Sequence, residues 1–167
     1  MGFLDDIKKA GKDLARSLKD VKEAPFVREM CKTASNMYRL GWDERNGGNI
    51  SYLLKEEEVA QYLDLNEVIR TIPLMGVNEV DFDASPLEGK IFIVTGTGKY
   101  FKNVEDDPET NLGIVRIGKG GKEVELLWGF KDGGRPTSEF PAHMMSHMAR
   151  LSVDPENRVV MHSHPTN

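Results

Sequence analysis

A chain of 167 residues is long enough to bury one sizeable core, so a single main domain is expected. Its formal net charge of −5 gives no electrostatic reason to propose nucleic acid as a partner. No apolar run approaches the length of a membrane span, since the longest notable one, Ile91-Phe92-Ile93-Val94, is strand-sized, and no membrane partner is expected.

Residues 1–24 read as an appended helix in which Leu4, Ile7, Gly11, Leu14, Leu18 and Val21 recur at steps of three and four. Six basic residues stand against five acidic ones there, which favours packing on protein over attraction to an anionic bilayer. The segment also lacks the uninterrupted apolar core of a secretion signal. Ala24-Pro25 breaks the pattern, because proline disfavours helical geometry in the residue before it.

A stronger helix follows, with Phe26, Val27, Met30, Cys31, Ala34, Met37 and Tyr38 on one face and Gly41 as its stop. Cys31 therefore reads as a small core residue. A lone cysteine forms no intramolecular disulfide and fits a reducing, cytoplasmic setting.

Residues 50–54 predict a strand, 55–69 a short helix, and 91–95 a buried strand. Residues 112–117 and 123–128 flank Gly118-Lys119-Gly120-Gly121-Lys122, which predicts a β-hairpin. Helical periodicity returns over 138–151, and a period-two strand over 158–164 closes the sequence. This order predicts an α/β layered domain with a mixed sheet. The dinucleotide fingerprint is absent, since Gly96-Thr97-Gly98 lacks the third glycine at the required spacing.

In that last strand His162 and His164 point to one face and offer two imidazoles to a tetrahedral, zinc-like ion. A catalytic zinc usually takes three protein ligands, and no third follows in the sequence. A bare His-x-His is also a common surface pair, so the weight rests on three further pieces. Asn46-Gly47-Gly48-Asn49 joins the core helix to the first strand, where glycines bring backbone amides close to a ligand or make an ordinary turn. Thr95-Gly96-Thr97-Gly98 follows a buried strand and sets hydroxyls and N–H groups where a phosphate is cradled, with Lys99 either adding charge or solvated.

The third piece, Thr137-Ser138-Glu139, opens a helix with Ser138 as N-cap and Pro141 within the first turn. Glu139 there complements the helix dipole, or the same free N–H groups bind a phosphate. Glu139, His143 and His147 recur every four residues on one face. The two helix histidines read first as hydrogen-bonded packing residues and second as sources of a missing metal ligand.

Taken in order, Gly41-Trp42-Asp43-Glu44-Arg45-Asn46-Gly47-Gly48-Asn49, Ile93-Val94-Thr95-Gly96-Thr97-Gly98-Lys99, Asn111-Leu112-Gly113-Ile114-Val115, Leu127-Trp128-Gly129, Pro136-Thr137-Ser138-Glu139 and Met161-His162-Ser163-His164 closely resemble the N-terminal part of the class II aldolase/adducin family. The resemblance runs from about residue 26 to the end and does not take in residues 1–24. It implies a three-layer α/β/α sandwich with a mixed, mostly antiparallel central sheet over residues 25–167, lacking the C-terminal part of the family domain. It also implies a homotetramer with sites between subunits.

By the same resemblance His162 and His164 are zinc ligands, one ion per subunit, with the third ligand in a segment this chain lacks. Glu139 is the catalytic acid/base, and Asn46, Asn49, Thr97, Gly98, Thr137 and Ser138 hold a phosphorylated ketose. The implied reaction is reversible cleavage of L-rhamnulose 1-phosphate to dihydroxyacetone phosphate and L-lactaldehyde, with the chain by itself expected to be inactive. The alternatives are another sugar-phosphate aldolase or epimerase, or a non-catalytic assembly module on the same scaffold.

Overall fold

In the computed structural model, which describes residues 2–7, 18–42, 47–74 and 83–163, helix α1 (Pro25–Arg39) starts on a proline. A first-turn position tolerates proline because the missing N–H has no intrahelical partner there. Phe26, Val27, Met30, Ala34 and Met37 are buried along its inner face. Its end is a Schellman turn: Gly41 takes φ 72°, Gly41 N–H donates to Tyr38 O and Trp42 N–H to Met37 O, both at 3.0 Å. Two residues of the expected face depart from it. Tyr38 is exposed because Met37 already fills the stripe, and Cys31 is half-buried at its edge with Sγ near Val104 O.

Residues 3–7 are helical, whereas Gly11 and Leu14 of the expected stripe lie outside the described residues. Residues 18–20 are not helical, and Val21–Glu23 form a single 3-10 turn in which the Asp20 carboxylate accepts from Lys22 N–H. The helix expected over 1–24 therefore does not reach Val21. That side chain is buried among the α1 residues, which commits it to the main core.

Among the described residues six strands make one sheet: β1 (Asn49–Leu54), β2 (Arg70–Pro73), β3 (Ile91–Thr95), β4 (Leu112–Ile117), β5 (Glu123–Gly129) and β6 (Val159–His162). Their order is β2-β5-β4-β3-β1-β6 and every pair is antiparallel, the antiparallel limit of the mixed sheet expected from the sequence. Short helices α2 (Glu56–Val59) and α3 (Pro108–Asn111) lie in connections, and α4 (Phe140–Leu151) covers the face opposite α1.

Alternation along the strands divides the core in two. Ile50, Leu54, Ile91 and Ile93 pack with α1, while Leu53, Phe92 and Val94 pack under α4 against its Phe140 and Met144. Burying a side chain of this size contributes roughly 1.5–3 kcal/mol. Every residue of β3 is buried, as its continuous apolar run predicts.

The helix expected over 55–69 shrinks to the single turn of α2. Lys55 N–H donates to the Glu58 carboxylate at 2.8 Å, and an Asx turn in which Asn66 N–H donates to Asp64 stops the pattern. Strand β2 then follows unannounced. It sits at one end of the sheet, where Pro73 is tolerated because an edge strand needs fewer ladder donors.

Phe130, just after β5, adopts φ 43°, a costly conformation for a side chain of this size. Its buried ring is wedged against two glycines: a Cβ on Gly113 would lie 2.1 Å from Cε2, and one on Gly96 3.0 Å from Cε1. Gly113→Ala is therefore expected to destabilise the fold by about 1–3 kcal/mol through overpacking. Denaturant unfolding of the two chains checks this, and an unchanged midpoint would mean that the ring is free to move.

Candidate active site

Because β1 runs against both its neighbours, its first residue lies beside the last residues of β3 and β6. Ser51 pairs with Val94 and Asn49 with His162. The Thr95 hydroxyl accepts from Ile50 N–H at 3.0 Å and closes the β1–β3 ladder. The segment before α4 is stitched to the same place. Thr137 N–H donates to Thr95 O and Thr97 N–H to Arg135 O, both at 2.9 Å, around a bridge between Gly96 and Pro136. Asn49, Thr97, Thr137, Ser138, Glu139 and His162 thus gather at one end of the sheet.

Helix α4 starts one residue later than the sequence suggests. Glu139, not Ser138, occupies the N-cap position, and it makes no side-chain cap. The Thr137 hydroxyl accepts from Glu139 N–H at 3.3 Å, so this turn is held by Thr137, and Ser138 is left exposed. The Glu139 carboxylate turns instead toward β1 and accepts from the Asn49 carboxamide NH2.

One helical turn on, His143 Nε2 meets the Asn49 carboxamide oxygen, and its Nδ1 lies 2.7 Å from the Ser51 hydroxyl. His147 Nε2 lies 2.7 Å from the same hydroxyl. The every-fourth-residue spacing along α4 therefore meets the every-second-residue spacing of Asn49 and Ser51 on β1. His143 and His147 are 3% and 0% exposed, and Asn49 and Ser51 are buried with them. Ser51 carries no motif; its signal in the sequence is a polar residue two places after Asn49 in an otherwise apolar strand.

Burial pushes His143 down to about 4, with the nearby His162 acting the same way and Glu139 opposing. Burial also pushes His147 down to about 4, with His143 and Arg150 adding to the effect. Both rings are neutral at pH 7. Neither is free to ligate a metal: both nitrogens of His143 are engaged, and the unpartnered Nδ1 of His147 belongs to a ring with no exposed surface.

His162, by contrast, is exposed at the end of β6 on the face shared by Asn49 and Ser51. An exposed imidazole on the polar end of a sheet fits a zinc ligand in donor chemistry. His164 and Asn46 lie outside the described residues, among which no group of three His, Cys, Asp or Glu side chains is placed to hold a metal.

A cavity of about 260 Å³, whose lining does not include Glu139, is walled by Thr97, Arg135, Thr137 and Ser138 against Ile72, Pro73, Leu74, Pro136 and Pro141. Arg135, exposed at this wall, carries a cation that the motif reading passed over. Gly98, at φ 71°, lines a neighbouring hollow with Lys99, Asn103 and Thr110. Lys99 is neither solvated nor aimed at the cavity. It pairs with Asp132, which is held below the usual carboxylate range first by that bond.

The Class II Aldolase and Adducin N-terminal domain matches residues 28–167. The chain belongs to this family. Among curated relatives, a rhamnulose-1-phosphate aldolase of Listeria monocytogenes is 64% identical over 149 residues, which is 89% of this chain and 52% of that protein. One of Enterococcus faecalis is 61% identical over 89% of this chain and 51% of the relative. A solved structure titled sugar-phosphate aldolase, from Thermotoga maritima, superposes with a TM-score of 0.64 at 30% identity, over 83% of this chain and 53% of that one. The chain spans about half the length of these relatives. No helix among the described residues is long and apolar enough to cross a membrane.

The two buried imidazoles make stability depend on pH. In the unfolded chain they take up protons near 6.5, but in the folded chain only near 4. Their contribution is therefore complete above pH 6.5, falls as pH drops toward 4, and is lost below it. The expected loss is on the order of a few kcal/mol in all. Denaturant midpoints measured between pH 7.5 and 4.5 should follow it, and His147→Phe should flatten the profile.

Proposed function

We propose that this chain supplies the N-terminal part of an enzyme that reversibly cleaves L-rhamnulose 1-phosphate to dihydroxyacetone phosphate and L-lactaldehyde. The observation that carries the reading is the Glu139 carboxylate, held by Asn49 at the sheet end that also presents His162. The 61–64% identity to proteins named rhamnulose-1-phosphate aldolase supports the choice of substrate. Sugar-phosphate lyase or epimerase chemistry on another ketose is the nearest rival, and relative activity on rhamnulose and fuculose phosphates separates the two.

In the cleavage direction the hydroxyl proton of the aldehyde-forming carbon passes to solvent, from which Glu139 in turn draws one, and the electrons of the broken carbon–carbon bond pass into an enediolate. Glu139 then delivers a proton to the carbon next to the former carbonyl, and removes it in the reverse direction. Asn49 fixes the carboxylate for that transfer, since an amide NH2 can only donate to it. Thr97, Thr137 and Ser138, with Gly98 and Asn46, bind the phosphate end through hydroxyl and N–H groups. Zinc would be held by His162 and His164 with a third ligand outside this chain, and when bound it supplies Lewis acidity for the negative oxygens of the enediolate. The tetrameric assembly, the cytoplasmic setting and a main domain over 25–167 belong to the same proposal.

Glu139→Gln in an assembled enzyme is expected to keep its zinc and lose about 10²- to 10⁴-fold in kcat. Near-normal turnover would remove Glu139 from the acid/base role. His162→Ala should lose the zinc itself, read by metal analysis. The 167-residue chain assayed alone should show little retro-aldol activity and gain it when the part of a relative beyond the match is added in trans. High zinc-dependent activity from the chain alone would mean that its own residues complete the site.

A further inference from the structure

The five polar groups that run from Glu139 into the core have one consistent set of proton positions. We propose that Ser51, His143 and His147 form a positioning relay that locks the Asn49 carboxamide with its NH2 toward Glu139; the proposal rests on the reading of Glu139 as the proton carrier.

A carboxylate only accepts, so the Asn49 NH2 faces Glu139 and the Asn49 carbonyl oxygen faces His143. That oxygen also only accepts, so the neutral His143 ring carries its proton on Nε2 and leaves Nδ1 as an acceptor. The single hydroxyl proton of Ser51 then goes to His143 Nδ1, 2.7 Å away. Ser51 Oγ must accept from His147 Nε2–H, also at 2.7 Å, and His147 Nδ1 is left bare. This last consequence is independently visible. His147 Nδ1 is the one buried side-chain polar atom without a hydrogen-bond partner among the described residues, and the ring lies 4.8 Å from that of Phe92.

Each link dictates the next, so the buried end of the relay decides which way the Asn49 amide is turned. A flipped amide would set its oxygen against the carboxylate. Hydroxyl and imidazole can exchange donor and acceptor roles, but an amide oxygen and its NH2 cannot, so the relay conveys orientation and stops short of carrying a proton to Glu139. Ser51, His143 and His147 are positioning residues by this reading, and none needs to touch substrate.

The test is the protonation pattern of the imidazole nitrogens in the isotope-labelled 167-residue chain, read by long-range proton–nitrogen NMR at pH 7. Both rings should be neutral, in one tautomer, with the proton on Nε2 and Nδ1 bare. A proton on Nδ1 of either ring, or a mixture of tautomers, overturns the relay. Ser51→Ala should convert His143 to a tautomer mixture and shift the Asn49 side-chain NH2 signals, while Ser51→Thr, which keeps the hydroxyl, should restore both. Unchanged Asn49 signals in Ser51→Ala, or equal changes in both variants, would refute the role of the hydroxyl. The unsubstituted chain decides the matter if a variant does not fold. None of these readouts needs zinc or turnover, so they stand or fall separately from the aldolase reading.

Discussion

Strand β1 is hydrogen-bonded on both edges, and both partners run against it. Its first residue must therefore lie between the end of β3 and the end of β6, whatever the loops beyond do. The ladder also fixes which side chains share a face, because a shift of one residue would turn Asn49 and Ser51 toward α1 and bring Ile50 under α4. The apolar alternation that builds the two cores is thus what aims the polar pair. Arg158 reinforces the register next to β6, with Nη1 3.2 Å from Leu53 O, Nη2 2.7 Å from the Tyr52 hydroxyl, and the guanidinium over the Tyr52 ring.

Placing four polar side chains between a helix and a sheet is expensive unless each finds a partner, since an unsatisfied buried group costs about 1–3 kcal/mol. Here the cost is offset locally. Asn49, Ser51 and His143 satisfy one another and Glu139, and only one nitrogen of His147 is left over. Low pKa values complete the arrangement, because a charged ring in the same place would need a counter-ion. The exposed Glu139 carboxylate at the end of this layer has its orientation set by the Asn49 amide.

Much of this was legible in the sequence where periodicity is strong. The α1 stripe, the buried run of β3, the glycine-rich hairpin turn and the every-fourth-residue spacing of Glu139, His143 and His147 each follow from local spacing. Of the polar motif residues within the described part, Asn49, Glu139 and His162 lie together because the antiparallel register sets the start of β1 beside the end of β6, whereas Thr97, Thr137 and Ser138 line the cavity and Gly98 a separate hollow. What stayed hidden depends on partners far away in the chain. Ser51 matters only because α4 lies over it, Lys99 is taken by Asp132, and β2 forms because β5 offers an edge to residues that locally resemble the tail of a helix. The N-cap assignment failed for the same reason: Ser138 has the right chemistry, but Asn49 draws Glu139 aside and Thr137 holds the turn.

The Phe130 ring, seated against Gly113 and Gly96, ties three positions into one unit of change. A side chain at 113 overpacks the fold while phenylalanine occupies 130, yet a smaller residue at 130 alone would leave a void beneath the turn that carries Thr97. Substitutions at these sites are therefore expected to be strongly non-additive. Drift in this corner of the fold must proceed by coupled replacements, and a library that varies the Thr97 turn without varying Phe130 samples only the few sequences that one ring permits.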